Sequence, residues 1–168
     1  FFEVQLITIS FISANVDLDD EKNSEVVDKL VELLEDKNLW SHVKTSVLRA
    51  LQKSSKHLSP RVLTQILNRQ ESEDLQASAL ESLGSFTNEA DDQFWSFIEK
   101  YSDDESPFHF RLSSLKCLIY FYQREKDAYV LFKIYQMLSD DESEIRELAA
   151  LFLNQNFLKL GAEELKTA

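Results

Sequence analysis

Chain breakers are scarce in this protein. Its 168 residues include only two glycines and two prolines, which argues against tight β-turns and for helices joined by short polar connections. Gly84 and Gly161 lie far apart, so they cannot build a phosphate-cradling loop. Cysteine is as scarce. Cys117 is alone, which rules out an internal disulfide and makes a reducing compartment, cytosol or nucleus, the expected setting. Positive charge is in short supply too: 18 Lys and Arg stand against 30 Asp and Glu, a net −12. That balance favours solubility and disfavours whole-molecule attraction to nucleic acid or anionic membranes, while leaving room for a local basic patch. The opening apolar run, FFEVQLITISFI, is too short to span a bilayer and lacks the basic start of a signal peptide.

What the chain does contain is a pattern that recurs. Val43-Lys44, Leu75-Gln76, Phe110-Arg111 and Ile145-Arg146 each pair a bulky apolar residue with a polar one, basic in three of the four. Small residues follow three or four positions after each opener, Ser46, Ser78 and Ala79, Ser113 and Ser114, and Ala149, and a leucine stands eight positions after it: Leu51, Leu83, Leu118, Leu153. The openers are 32, 35 and 35 residues apart. A period of this size with helical patterning predicts an all-α fold, an α-solenoid of antiparallel helix pairs with about four repeats and a partial one at the start. The expected pairs are 25–35 with 40–55, 60–69 with 73–86, 91–101 with 107–124, and 127–138 with 142–158. Val43, Val47, Leu51, Leu75, Ala79, Leu83, Phe110, Ser114, Leu118, Ile145, Ala149 and Leu153 are the expected core.

The punctuation fits these boundaries. Ser59-Pro60 and Ser106-Pro107 each set a capping hydroxyl before a proline at the first helical position. Gly161 reads as a helix stop before the tail GAEELKTA. The opening run reads as the last helix of a preceding repeat, since Val4 to Ile12 repeats the eight-residue spacing; this would make the chain an excerpt of a longer protein. Alternation of Ile7, Ile9 and Phe11 with polar residues makes a β-strand the competing reading there. No low-complexity linker divides the sequence, so 1–168 is read as a single helical-repeat domain. The helix at 107–124 is apolar on two sides, Phe110, Ser114, Cys117, Leu118 and Phe121 against Phe108, Leu112, Leu115, Ile119 and Tyr122. Burial between its partner helix and neighbouring repeats is the simpler account, and reception of a partner's helix the alternative.

Catalytic and metal signatures are missing. His42, His57 and His109 are scattered and lack metal-ligand spacing, and no cofactor or small-molecule substrate is expected. Cys117, within LSSLKCLIYF, is expected to be a buried small hydrophobe rather than a reactive thiol. The segment SDDES occurs at 102–106 and again at 139–143. Ser102 with Glu105 and Ser139 with Glu142 match a capping box; a serine followed by three acids also suits an acid-directed kinase, so Ser102 and Ser139 are candidate phosphorylation sites. Asp103-Asp104 and Asp140-Asp141 read as solvated loop acids.

One segment departs from the acidic background. Residues 37–69 carry no Asp or Glu and seven basic side chains, Lys37, Lys44, Arg49, Lys53, Lys56, Arg61 and Arg69. Arg49, Lys53 and Lys56 stand at i, i+4, i+7 and form one stripe if the helix reaches Lys56, opposite Trp40, Val43, Val47 and Leu51. The stripe is either a solvated face or a surface for RNA phosphates or an acidic peptide. Trp40 reads as core, which leaves base stacking little support.

The run SDDESEIRELAALFL (139–153) resembles the HEAT repeat: an Asp before the second helix, an apolar-Arg pair, small residues, then leucines. SPFHFRLSSLKCL (106–118), DLQASALESL (74–83) and WSHVKTSVLRAL (40–51) resemble it in turn. The resemblance implies an armadillo-like solenoid and a non-catalytic scaffold that binds other proteins. The C-terminal portion also resembles the end of the THADA family, large helical-repeat proteins that partner a tRNA ribose methyltransferase; this implies an accessory subunit of a tRNA-modifying complex and carries over no functional residue. A nuclear-transport-type receptor, binding basic cargo through acidic inner positions such as Glu81, is the third expectation. None of the three involves a membrane.

Overall fold

A computed structural model gives the fold. It describes residues 2–36, 38–53, 59–69 and 71–167, with side chains between Glu3 and Asn156. All regular structure among them is helical: α1 (Phe2–Asn15), α2 (Ser24–Glu35), α3 (Ser41–Leu51), α4 (Pro60–Asn68), α5 (Glu73–Phe86), α6 (Asp92–Ser102), α7 (Phe108–Glu125), α8 (Ala128–Gln136) and α9 (Ser143–Thr167). Short 3-10 turns at Glu21–Asn23 and Met137–Ser139 lead into or out of them. Among the described residues no helix is long and apolar enough to cross a membrane.

Four helices, α4, α5, α6 and α8, start on short polar side chains that accept from otherwise orphaned backbone amides. Ser59 Oγ accepts from Arg61 N at 3.1 Å, with Pro60 as the first helical residue of α4. Ser72 caps α5, Asp91 caps α6, and Asp127 caps α8 through the amides of Tyr129 and Val130. Ser106-Pro107 behaves differently from expectation: Pro107 is itself the N-cap of α7, and the Ser106 hydroxyl donates to Lys100 O at 2.8 Å. The α7 C-cap, Lys126, turns the chain in the left-handed region at φ 57°. Gly161 does not stop the last helix. α9 runs through it to Thr167, because one glycine costs only about 1 kcal/mol in a helix whose other residues favour the state.

The chain comprises two compact units, Phe1–Thr87 and Asn88–Ala168. In the first, α1 and α2 both pack on α3, and α3 and α4 pack on α5. In the second, α7 lies against α6, α8 and α9, and α8 packs on α9. All twelve residues expected in the core are buried, Val47, Leu51, Leu75, Ala79, Ser114, Ile145 and Ala149 completely. Each buried Leu or Ile contributes about 1.5–3 kcal/mol from surface removed from water, so the repeated positions anchor each helix pair. α7 is buried on both sides, through Phe110, Cys117 and Phe121 and through Leu115, Ile119 and Tyr122, as expected of a helix enclosed by neighbours. Trp40 is not core. It precedes α3 as N-cap, off the helix's buried face, and is 67% exposed.

Candidate functional site

The polar residue after the opener does the same job in three of the four recurring segments: it reaches back to hold carbonyls that precede its own helix. Gln76 Nε2 donates to Arg69 O at 2.9 Å and Leu67 O at 3.3 Å. Arg111 Nη1 donates to Ser106 O at 2.8 Å and Asp104 O at 3.3 Å. Arg146 Nη1 donates to Asp140 O and Asp141 O, each at 2.7 Å. These carbonyls lie at the end of α4 or in the loops before α5, α7 and α9, where helix hydrogen bonding is interrupted and a side-chain donor can serve them.

Two of the basic residues also reach forward to an acid of the following loop. Lys44, 1% exposed, places Nζ 2.7 Å from Glu71 Oε1. Arg111, 5% exposed, binds Asp140 through both prongs of its guanidinium, Nε to Oδ2 at 3.0 Å and Nη2 to Oδ1 at 3.1 Å, and Nη2 also meets Asp141. Asp140 is therefore a buried ionic partner rather than a solvated loop acid; Asp103, Asp104 and Asp141 are exposed, as expected. Burial works to raise the Asp140 carboxyl, but the Arg111 hydrogen bonds and charge and the Glu142 amide outweigh it and hold the group below its ordinary 3.8. The Asp140 hydrogen bond leads the effects that raise Arg111 above its ordinary value.

The SDDES serines do not form capping boxes. Ser102 ends α6 and Ser139 ends a 3-10 turn; the loop turns are made by Asp103, which accepts from Glu105 N, and Asp140, which accepts from Glu142 N. The aspartates win because their carboxylates lie two residues from the amides they accept from, the spacing of an Asx-turn. Ser139 is exposed and Ser102 half-buried, and both line a cavity of about 250 Å³ with Lys133, Gln136, Asp104 and Asp140.

The basic stripe is only partly assembled. Arg49 is exposed on α3, opposite the buried Val43, Val47 and Leu51. α3 ends at Leu51, and Lys53, in the turn beyond it, donates from Nζ to Ser13 O at 3.1 Å. Lys56 lies outside the described residues, as do Lys37 and His57. Lys44 is committed to Glu71. Glu81 is half-buried on α5, and Cys117 is buried. Among the described residues no group of His, Cys, Asp or Glu is placed to hold a metal ion.

Two features escaped the sequence reading. On α8, Tyr129, Phe132 and Tyr135 are about half exposed, and Tyr129 meets Trp95 edge-on with ring centres 4.8 Å apart. The i, i+3, i+6 spacing in AYVLFKIYQ was the available signal. The second is an open groove of about 580 Å³ between α1 and α2, with Val43 of α3 among its lining residues. It exists because both helices pack on α3 and leave their facing sides apart. Ile9, Ile12, Val26, Leu30 and Leu33 make it aliphatic, and Val4, Ile7 and Phe11 extend the apolar surface along α1 at 63–68% exposure. No protein-family model matches the chain, and no solved structure matches it.

Proposed function

We propose that this chain is a non-catalytic binding module of HEAT-like helix pairs that holds another protein against its surface. The observation that carries the reading is the groove between α1 and α2, aliphatic and open, with Val4 in its lining, while Ile7 and Phe11 are exposed on the same helix. Surfaces of this kind on a helical protein accept the apolar face of a partner's helix. The repeat architecture is supported by the recurrence of two features at one register, the buried opener-to-leucine positions and the carbonyl-holding side chain after the opener. Membership of an RNA-modifying complex has less support, since Lys44 and Lys53 of the basic segment already hold protein groups.

The test is affinity capture with the full chain from a lysate of its own cells, after crosslinking, reading proteins and RNA together. The bait is compared with an Arg49→Glu, Lys53→Glu variant. A stoichiometric protein partner retained by both baits is the expected result. Recovery of RNA without protein, lost in the variant, would overturn the reading in favour of RNA binding.

A further inference from the structure

The sequence offers SDDES twice, and the fold treats the two leading serines differently. Each is followed by an aspartate with extended backbone, so the difference lies at the serine and before it. Ser102 is the last residue of α6 and half-buried. Tyr101, just ahead of it, is 4% exposed and stacks on Phe110 with ring centres 4.7 Å apart. To enter an enzyme's cleft as extended chain, Ser102 must unwind the end of α6 and draw Tyr101 from the core, a local unfolding. Ser139 is exposed at the end of a 3-10 turn, after the half-buried Leu138, and α9 starts only at Ser143. Its acids are unequal as well. Asp140 is spent on Arg111, and Asp141 also meets that guanidinium although 78% of its side chain is exposed. Glu142, third after the serine, is exposed.

We propose that Ser139 is a phosphorylation site for a protein kinase that reads acids downstream of its target, with Glu142 as the main determinant, and that the fold shields Ser102. Ser139 Oγ attacks the γ-phosphorus of ATP. The Oγ–P bond forms as the bond from that phosphorus to its bridging oxygen breaks, ADP leaves, and the hydroxyl proton passes to a base of the kinase. A kinase cleft lined with Lys or Arg attracts the Glu142 carboxylate, which gives the site its selectivity. The product adds roughly two negative charges to a side chain that does not hold the loop. That work is done by Arg111 on Asp140 and Asp141, by Arg146 on their carbonyls, and by Asp140 on the Glu142 amide. In the cavity that Ser139 helps to line, Lys133 attracts a phosphate and Asp104 repels it. The modification therefore changes surface charge and leaves the fold intact.

The experiment incubates the full chain with ATP and a purified acid-directed serine kinase, and follows each site by phosphopeptide mass spectrometry. Synthetic peptides of residues 97–108 and 134–147 are run beside it. In the folded chain Ser139 is expected to be modified at least about tenfold faster than Ser102, because only Ser102 needs local unfolding, while the two peptides react at similar rates. Glu142→Gln should slow Ser139 by about tenfold through loss of the carboxylate's attraction. The phosphorylated chain should keep the circular dichroism and thermal melt of the unmodified one. Equal rates at the two serines of the folded chain overturn the proposal. So does a folded chain left unmodified at Ser139, whether or not the 134–147 peptide reacts. A Glu142→Gln chain modified at the parent's rate removes the determinant, and a loss of helical signal on phosphorylation contradicts a side chain that holds nothing.

Discussion

Lys44 in the N-terminal unit and Arg111 in the C-terminal unit each follow the apolar opener of the recurring sequence pattern, and they reach acids 27 and 29 residues further on. They solve the problem of a buried cation differently. Lys44 is a point charge with one short bond to Glu71, a carboxylate that still sees some solvent at 11% exposure. Arg111 distributes its donors over two carboxylates and two backbone carbonyls, and the Asp140 side chain is only 4% exposed. The lesson is that lysine suffices where the acid stays near water, while full burial of both charges calls for a planar fork that satisfies every polar atom it dries out.

The most severe way to break this comparison is to attack the packing beneath the C-terminal pair. Leu118 is 1% exposed on α7, the helix that carries Arg111. Leu118→Asp buries an unpaired charge and is expected to cost more than about 4 kcal/mol, removing the cooperative thermal transition seen by circular dichroism. A stable, fully helical variant would contradict the repeat register.

Cutting the two pairs separately comes next. Arg111→Met strands Asp140 in the interior and should lower stability by about 3–5 kcal/mol in urea unfolding. Lys44→Met leaves Glu71 able to recover water and should lose about 1–2 kcal/mol. Equal losses would mean that burial of the acid does not govern the difference.

Acid sharpens the contrast without a change to the cation. Because the folded Asp140 carboxyl is held below 3.8, its stabilising contribution is full above that value and is lost as pH falls through the lower, folded value. Asp140→Asn is therefore expected to flatten the fall of the urea midpoint below about pH 4, while it lowers the midpoint at neutral pH. A variant with the parent's acid limb would show that other carboxylates carry it.

The mildest change lies in the backbone at the other end of the helix that carries Arg111. Lys126 holds φ at 57° and places its ammonium 5.2 Å from the Tyr122 ring centre. Lys126→Gly removes the left-handed penalty and a weak cation–π contact, for a net gain of about 0.5 kcal/mol in urea unfolding.

Helix positions and the twelve core residues were legible in the sequence because they depend on local periodicity, on few breakers and on the cap at Ser59-Pro60. Asp140 was not. Inside SDDESEIR it looks like any loop acid, and its partner stands 29 residues earlier. The polar residue after each opener was visible, but the double duty of Arg111, back to loop carbonyls and forward to Asp140, is a product of packing. Trp40 was misplaced because helical phase was extended one residue past the start of α3. The groove was hidden by α1, whose apolar residues run all round the helix, so the exposed row Val4, Ile7 and Phe11 blends with the buried Ile9. The Arg49, Lys53 and Lys56 stripe assumed a helix long enough to align it, whereas α3 ends at Leu51.

The back-reaching side chains have a consequence for how this chain can vary. Arg111 spans 5 and 7 residues to its carbonyls and Arg146 spans 5 and 6, so the loops inside those two pairs are metered: one inserted residue moves the carbonyls off the donors. Asn88 and Glu89 sit in a connection with no such gauge, both of them exposed. Descendants of this sequence can lengthen there, and an experimenter can insert a tag there, while the two metered turns keep their length.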